Sequence, residues 1–269
     1  MNKIGIVLVT CNRPAFFEKS ITALPKADKM IVINDGRKIS ECLVPTYFDK
    51  FIQHKKNIGV GRTKNEGLRF LLESGCEHIF VCEDDIVIKD PNIYNKYIAA
   101  ANNSGIRHLN FAYHGNANKN EDGNPMHRKI VFDDNCNPII TLNKNLIGAF
   151  TYFDHKILQE VGLLDELFYN AWEHVDHTYQ IIKAGKHPPF WWFADICNSN
   201  ELIEDLDSNL KHSIIRKQNL SWKFNLWRNT RKFKMKNGIE PYFIPDSNES
   251  FVENELKRIK SQYAISSNI

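Results

Sequence analysis

The chain has 269 residues, 42% of them apolar and 25% charged, with a formal net charge of +3. That length buries a sizeable core, as one large domain or one domain with an appended segment, and the composition excludes a disordered or fibrous chain. So small a net charge does not mark a nucleic-acid binder, and no nucleic-acid partner is expected.

The six cysteines (Cys11, Cys42, Cys76, Cys82, Cys136, Cys197) form no C-x-x-C pair. This disfavours a structural zinc site and fits reduced, buried thiols in the cytoplasm. The apolar run at the N-terminus is too short for a signal peptide or a membrane span. At most, the protein is expected to sit peripherally on the inner face of a membrane.

Ile4 to Val9 is a continuous β-branched run, as in a strand buried on both faces of a parallel sheet. Thr10-Cys11-Asn12-Arg13-Pro14 breaks it, with Pro14 suited to open a helix to about Ala23. Met30 to Ile33 predicts a second strand, ended by Asn34-Asp35-Gly36, and Phe51 to His54 a short third. Gly59 to Gly75 reads as a loop and a helix with Leu68, Leu71 and Leu72 on its apolar face. His78 to Cys82 is the fourth strand, and it runs into Glu83-Asp84-Asp85. Strands alternating with helices predict a doubly wound, mostly parallel α/β sheet, whose ligands bind beyond the strands' carboxyl ends. Three polar clusters converge on that edge.

Further on, Asn116 to Asn137 is polar and reads as an irregular excursion or hairpin. Asp154 to Val161, Asp176 to Ala184 and Asn248 to Tyr263 read as helices, and Phe190 to Phe193 as a buried strand. Between Asp207 and Glu240 there is no acid, but nine cations: Lys211, Arg216, Lys217, Lys223, Arg228, Arg231, Lys232, Lys234 and Lys236. Trp222, Phe224, Trp227 and Phe233 interleave with them. Over residues 211–236 this mixture suits an anionic membrane surface, RNA or an acidic polysaccharide, or equally a helix that packs its aromatics and wets its lysines.

The segments Val9-Thr10-Cys11-Asn12-Arg13-Pro14, Ile33-Asn34-Asp35-Gly36, Asn57-Ile58-Gly59-Val60-Gly61-Arg62-Thr63-Lys64-Asn65-Glu66-Gly67 and Glu83-Asp84-Asp85 resemble, in this order, the motifs of family 2 glycosyltransferases. The resemblance implies a GT-A fold over 1–205, with a nucleotide-sugar half (1–100) and an acceptor half (101–205), and the shift in composition marks off a basic helical extension over 206–269. It implies nucleotide contacts from Thr10, Asn12, Arg13, Asp35, Asn57, Gly59, Arg62, Asn65 and Asp84. Mn²⁺ or Mg²⁺ would sit on Asp84 and Asp85, because hard cations take carboxylate oxygens and bridge phosphates. Cys82 stands where the family has its first aspartate, and His212 corresponds to a late third ligand of some relatives.

In the acceptor half, Gly148-Ala149-Phe150-Thr151 resembles a small-residue turn before a helix, and Trp172-Glu173-His174-Val175-Asp176 the family's W-G-x-E-D. Gly148, Ala149, Phe150 and Trp172 would then face the acceptor. Asp176 takes the general-base position, with Glu173 as its substitute.

The implied function is inverting sugar transfer from a nucleotide-sugar, UDP-linked by expectation, to a glycan or lipid-linked acceptor in surface-polysaccharide synthesis. The rivals are a sugar-nucleotide nucleotidyltransferase, disfavoured because the loop after the first strand has no glycine, and a non-catalytic membrane or polyanion binder using residues 211–236. Deleting that segment is expected to spare donor hydrolysis in a glycosyltransferase and to abolish the activity of a binding module.

Overall fold

A computed structural model describes residues 3–211, 213 and 219–267. Four parallel strands, β1 (Ile4–Thr10), β2 (Lys29–Asn34), β3 (Lys50–Gln53) and β4 (His78–Glu83), form one side of a six-stranded sheet. β5 (Ile86–Ile88) leaves this sheet just after β4, while β6 (His108–Asn110) closes its far edge. β7 (Lys129–Phe132) and β8 (Pro138–Asn143) belong to a second, antiparallel sheet. β9 (Phe150–Asp154) returns between β4 and β6, antiparallel to both, giving the order β3-β2-β1-β4-β9-β6. β10 (Phe193–Ile196) pairs with β8, and β11 (Ile203–Asp205) with β5.

Helices α1 (Pro14–Ala23), α2 (Val60–Glu73), α3 (Ile93–Ser104), α4 (His155–Val161), α5 (Glu173–Lys183) and the short α6 (Ser199–Leu202) connect these strands. They are followed by α7 (Asn219–Asn237) and α8 (Glu249–Ser267).

The β-branched runs are buried on both sides because alternate residues serve different layers. Ile6, Leu8, Phe80 and Cys82 pack with Phe17, Tyr94 and Tyr97, whereas Val7, Val9, Ile31 and Val81 pack with Leu68, Leu71, Ile157 and Leu158. α2 crosses β1 closely at Gly67, where an added Cβ would lie 2.4 Å from a Val7 methyl.

The structure departs from expectation in three places. Phe150 begins a sheet strand, not a turn leading to a helix, and is fully buried against Phe80 and Tyr97. It is thus core, and the acceptor-facing role expected of it is corrected. Phe190 to Trp192 form a turn, with Trp191 at φ +72°, and the strand starts only at Phe193. Cys76 and Cys82 are buried as expected, but Cys42 and Cys136 are exposed.

The segment after residue 205 packs on the rest. Phe233 of α7 is fully buried with Phe168, Val175, Phe190 and Phe193, while Val252 and Ile259 of α8 join the main core. Among the described residues no helix is long and apolar enough to cross a membrane.

Candidate active site

The carboxyl ends of β1, β2 and β4 open on a cleft of about 620 Å³. Thr10, Asn12, Arg13, Asp35, Asn57 and Asp85 line it together with Gly148, Ala149, Trp172 and Glu173. Ten of the residues singled out in the sequence therefore share one cavity. The sequence reading missed His114 and Tyr169, which also line it.

The turn between β4 and β5 divides the acidic cluster. Asp84 is fully buried below the cleft, accepting from the Thr10 hydroxyl at 2.6 Å and paired with the Arg13 guanidinium. Burial pushes its carboxyl up, against the pull of Arg13, to about 7. Asp85 faces the cleft. Its Oδ2 meets Arg13 Nη1 at 2.6 Å and lies 3.5 Å from His114 Nε2, while its buried Oδ1 has no hydrogen-bond partner. The His114 Nδ1 is 2.9 Å from Asp205 Oδ1, and the pairing of β11 with β5 brings this carboxylate there. Burial lowers the His114 pKa, but Asp205 and the neighbouring acids outweigh it and hold it above the ordinary value.

These residues fit a divalent cation in a particular way. An orphaned, buried carboxylate oxygen is costly unless something positive meets it. An imidazole fixed through its other nitrogen by a carboxylate is the usual form of a metal-binding histidine. Among the described residues no group of three or more His, Cys, Asp or Glu would hold an ion alone. Mg²⁺-type sites commonly have one or two protein ligands completed by substrate phosphates and water. Asp85 with His114 matches that pattern; Asp84 does not, since both its oxygens are spent on Thr10 and Arg13. His212 lies outside the described residues.

Asp35 stands at the end of β2. Its carboxylate accepts from the Ile58 and Gly59 amides at 2.8 and 3.1 Å and meets His54 Nδ1 at 2.7 Å. It thus ties the loop before α2 to the cleft wall. Gly59 contributes backbone geometry, with φ +98° and no room for a Cβ beside the Tyr169 ring. Asn57 is held by the Tyr169 hydroxyl at 2.8 Å.

Arg62 and Asn65 do not reach the cleft. Arg62 is more than half exposed, 3.9 Å from Glu166, and Asn65 is buried with its amide on the Leu164 carbonyl. Their spacing along α2 carries them round its far side, so their expected nucleotide contacts are corrected. Lys64, between them, points inward, bonding Glu83 at 2.6 Å and the Gly148 carbonyl at 3.0 Å.

Elsewhere in the lining, Trp172 adopts a left-handed conformation (φ +68°) and α5 begins at Glu173. Such backbone persists where surroundings over-determine it. Here Asn229 of α7 donates to the Tyr169 and Ala171 carbonyls, both at 2.9 Å, and the Trp172 indole donates to Thr230 at 3.0 Å. Glu173 is 4% exposed: His174 Nδ1 lies 3.0 Å from Oε1, and Oε2 has no partner. Burial raises its pKa, but the His174 hydrogen bond and the charges of His174 and Lys64 more than offset this and hold it below the usual carboxylate value. Glu173 is a carboxylate at neutral pH.

Asp176 turns the other way. It is 1% exposed and bonds Lys236 Nζ at 2.7 Å and the Asn237 amide at 3.0 Å. It tethers α5 to the end of α7 and does not line the cleft, so the structure does not bring it where the expected base would act.

No family model and no curated protein matches the chain. Among solved structures it is similar to the mannosyltransferase PcManGT from Pyrobaculum calidifontis in complex with GDP-Man and Mn²⁺, at TM-score 0.57 and 10% identity, over 99% of this chain and 75% of that one. It is similar also to GalNAc-T7 with UDP, GalNAc and Mn²⁺, at TM-score 0.51 and 13% identity, over 73% of this chain and 42% of that one. A third match is TarS of S. aureus in complex with UDP, at TM-score 0.48 and 15% identity, over 66% and 54% of the two chains. The chain therefore spans about half the length of TarS. The fold, with its mainly parallel central sheet, is of the GT-A glycosyltransferase type.

Proposed function

We propose that this chain is a metal-dependent, inverting glycosyltransferase of the family 2 kind. It would move a sugar from a nucleotide-sugar to an acceptor hydroxyl, in the synthesis of a surface polysaccharide. The observation that carries the reading is a pair of buried, unpartnered carboxylate oxygens, Asp85 Oδ1 and Glu173 Oε2, on residues that line one cleft at the carboxyl edge of a GT-A sheet.

Inversion needs an acceptor hydroxyl attacking the anomeric carbon on the face opposite the departing diphosphate. Glu173 Oε2 takes the hydroxyl proton as the new glycosidic bond forms, and the bond to the nucleotide diphosphate breaks with its electron pair. Asp85 and His114 would hold Mn²⁺ or Mg²⁺, which supplies charge neutralisation for the leaving diphosphate. Arg13, pinned between Asp84 and Asp85, adds a fixed cation beside them, while Asp35, Asn57 and Asn12 line the end suited to the nucleoside. The complexes of GalNAc-T7 with UDP, GalNAc and Mn²⁺ and of PcManGT with GDP-Man and Mn²⁺ make UDP- and GDP-sugars the first donors to test.

The test is a nucleotide-sugar panel scored for Mn²⁺-dependent thermal stabilisation and donor hydrolysis, on the wild type and on Asp85→Ala. A metal-dependent response lost in Asp85→Ala is expected. A response to no nucleotide-sugar, or a metal dependence unchanged in Asp85→Ala, overturns the reading.

A further inference from the structure

We propose that α7 is a bilayer-docking helix that lays its outward face on an anionic lipid surface and brings the cleft to an acceptor carried there. At about 100° per residue, Leu220, Phe224, Trp227, Arg231 and Lys234 fall within about 80° of the helix circumference. This stripe lies opposite Asn225, Asn229 and Phe233, which face the protein.

The stripe is open to solvent: Leu220 is 84% exposed, Phe224 58% and Trp227 54%. Soluble surfaces seldom gather large apolar side chains into one patch without a use for it.

The charge on the patch selects its occupant. Arg231 sits 5.0 Å over the Trp227 ring, and Phe224 packs on Trp227 with ring centroids 5.9 Å apart. Neither Lys223 nor Arg231 has an acidic partner among the described residues. The sequence carries no acid between Asp207 and Glu240. Aromatic rings that settle at the headgroup level, rimmed by cations, match an anionic bilayer. A protein partner of ordinary composition would offer no such uniform negative charge.

The inward flank of the same helix carries Trp222 and Leu226, which line the cleft. The cleft therefore lies one helix thickness, about 10 Å, behind the docked face. A lipid-borne acceptor would reach it without leaving the membrane. Only this last step rests on the transfer reading; vesicle binding does not.

The experiment is co-sedimentation of the full chain with phosphatidylcholine vesicles, with and without phosphatidylglycerol, at low and high salt. Phe224→Ser/Trp227→Ser and Lys223→Glu/Arg231→Glu are compared with wild type. The wild type is expected to partition to the anionic vesicles in a salt-sensitive way, and each double variant to bind at least about tenfold more weakly. Thermal stabilisation by nucleotide and Mn²⁺ should stay equal in all three. The proposal is overturned by no partition, by equal binding to neutral vesicles, or by variants that bind like wild type. RNA or acidic polysaccharide binding without vesicle binding overturns it, as does a dimer broken by these substitutions without vesicle binding. Vesicle binding in a protein that answers to no nucleotide-sugar would leave the docking face standing and remove the transferase reading.

Discussion

Glu173 and Asp176 stand three residues apart at the start of one helix, yet only Glu173 faces the cleft with an oxygen to spare. Glu173→Gln removes the carboxylate proposed as base while keeping size and polarity. It is expected to lower transfer by about 10²–10⁴-fold with nucleotide binding retained. Asp176→Asn should lower stability by about 1.5–3 kcal/mol, the worth of hydrogen bonds to a charged group, and leave the turnover of the folded fraction within a few-fold. Steady-state transfer and urea unfolding of both variants separate the two roles; a collapse of turnover in Asp176→Asn alone would return the base to that position. The adjacent acids divide in the same manner. Asp85→Asn should raise the Mn²⁺ concentration needed for half-maximal thermal stabilisation, whereas Asp84→Asn should act first on stability, through Arg13 and Thr10.

At the scale of elements, α2 is held against the sheet by shape at one end and by charge at the other. Gly67→Ala puts a methyl 2.4 Å from Val7 Cγ2. An overpacked core commonly costs about 1–3 kcal/mol, so a lower urea midpoint with an unchanged slope is expected. His54 bridges Asp35 and Glu66 of α2 at 2.7 and 2.8 Å. Burial lowers its pKa, but these two hydrogen bonds win, and the folded value lies above the ordinary one. The sign follows: the stabilisation is full below the unfolded-state pKa of about 6.5 and is lost as pH rises through the higher folded value. The stability gap between wild type and His54→Gln should therefore be wider at acid than at alkaline pH; a pH-independent gap in urea midpoints would show that the imidazole acts without its charge.

These elements were legible from their residues: the β-branched runs of β1, β2 and β4 end in polar clusters, and the cleft formed there. Three things were not. Asp84 and Asp85 are neighbours, and only the turn into β5 decides which faces the cleft. His114 gains meaning from Asp205, 91 positions on, through a strand pairing that no local pattern announces. β9 runs antiparallel between β4 and β6, a placement decided by long-range packing, so Phe150 read as a turn residue.

For the molecule as a whole, the segment after residue 205 packs into the body that carries the cleft, which makes deletion of the basic stretch disruptive to the cleft as well. Phe233, Val252 and Ile259 are 0%, 0% and 2% exposed. Fully burying such a side chain is worth about 1.5–3 kcal/mol, so these three together approach the about 5–15 kcal/mol by which whole domains are stable. α7 also holds the strained loop at Trp172 through Asn229 and Thr230, and the loop in turn aims Glu173. Removing 219–237 should therefore abolish donor hydrolysis as well as any surface binding, and replace cooperative unfolding with a broad, low-midpoint transition. Asn229→Ala makes the finer test, because it frees the two loop carbonyls while leaving Phe233 packed. Its turnover should fall further than its unfolding midpoint accounts for. If the deletion instead keeps both its hydrolysis and its sharp transition, α7 is an appendage and Glu173 is aimed by α5 alone.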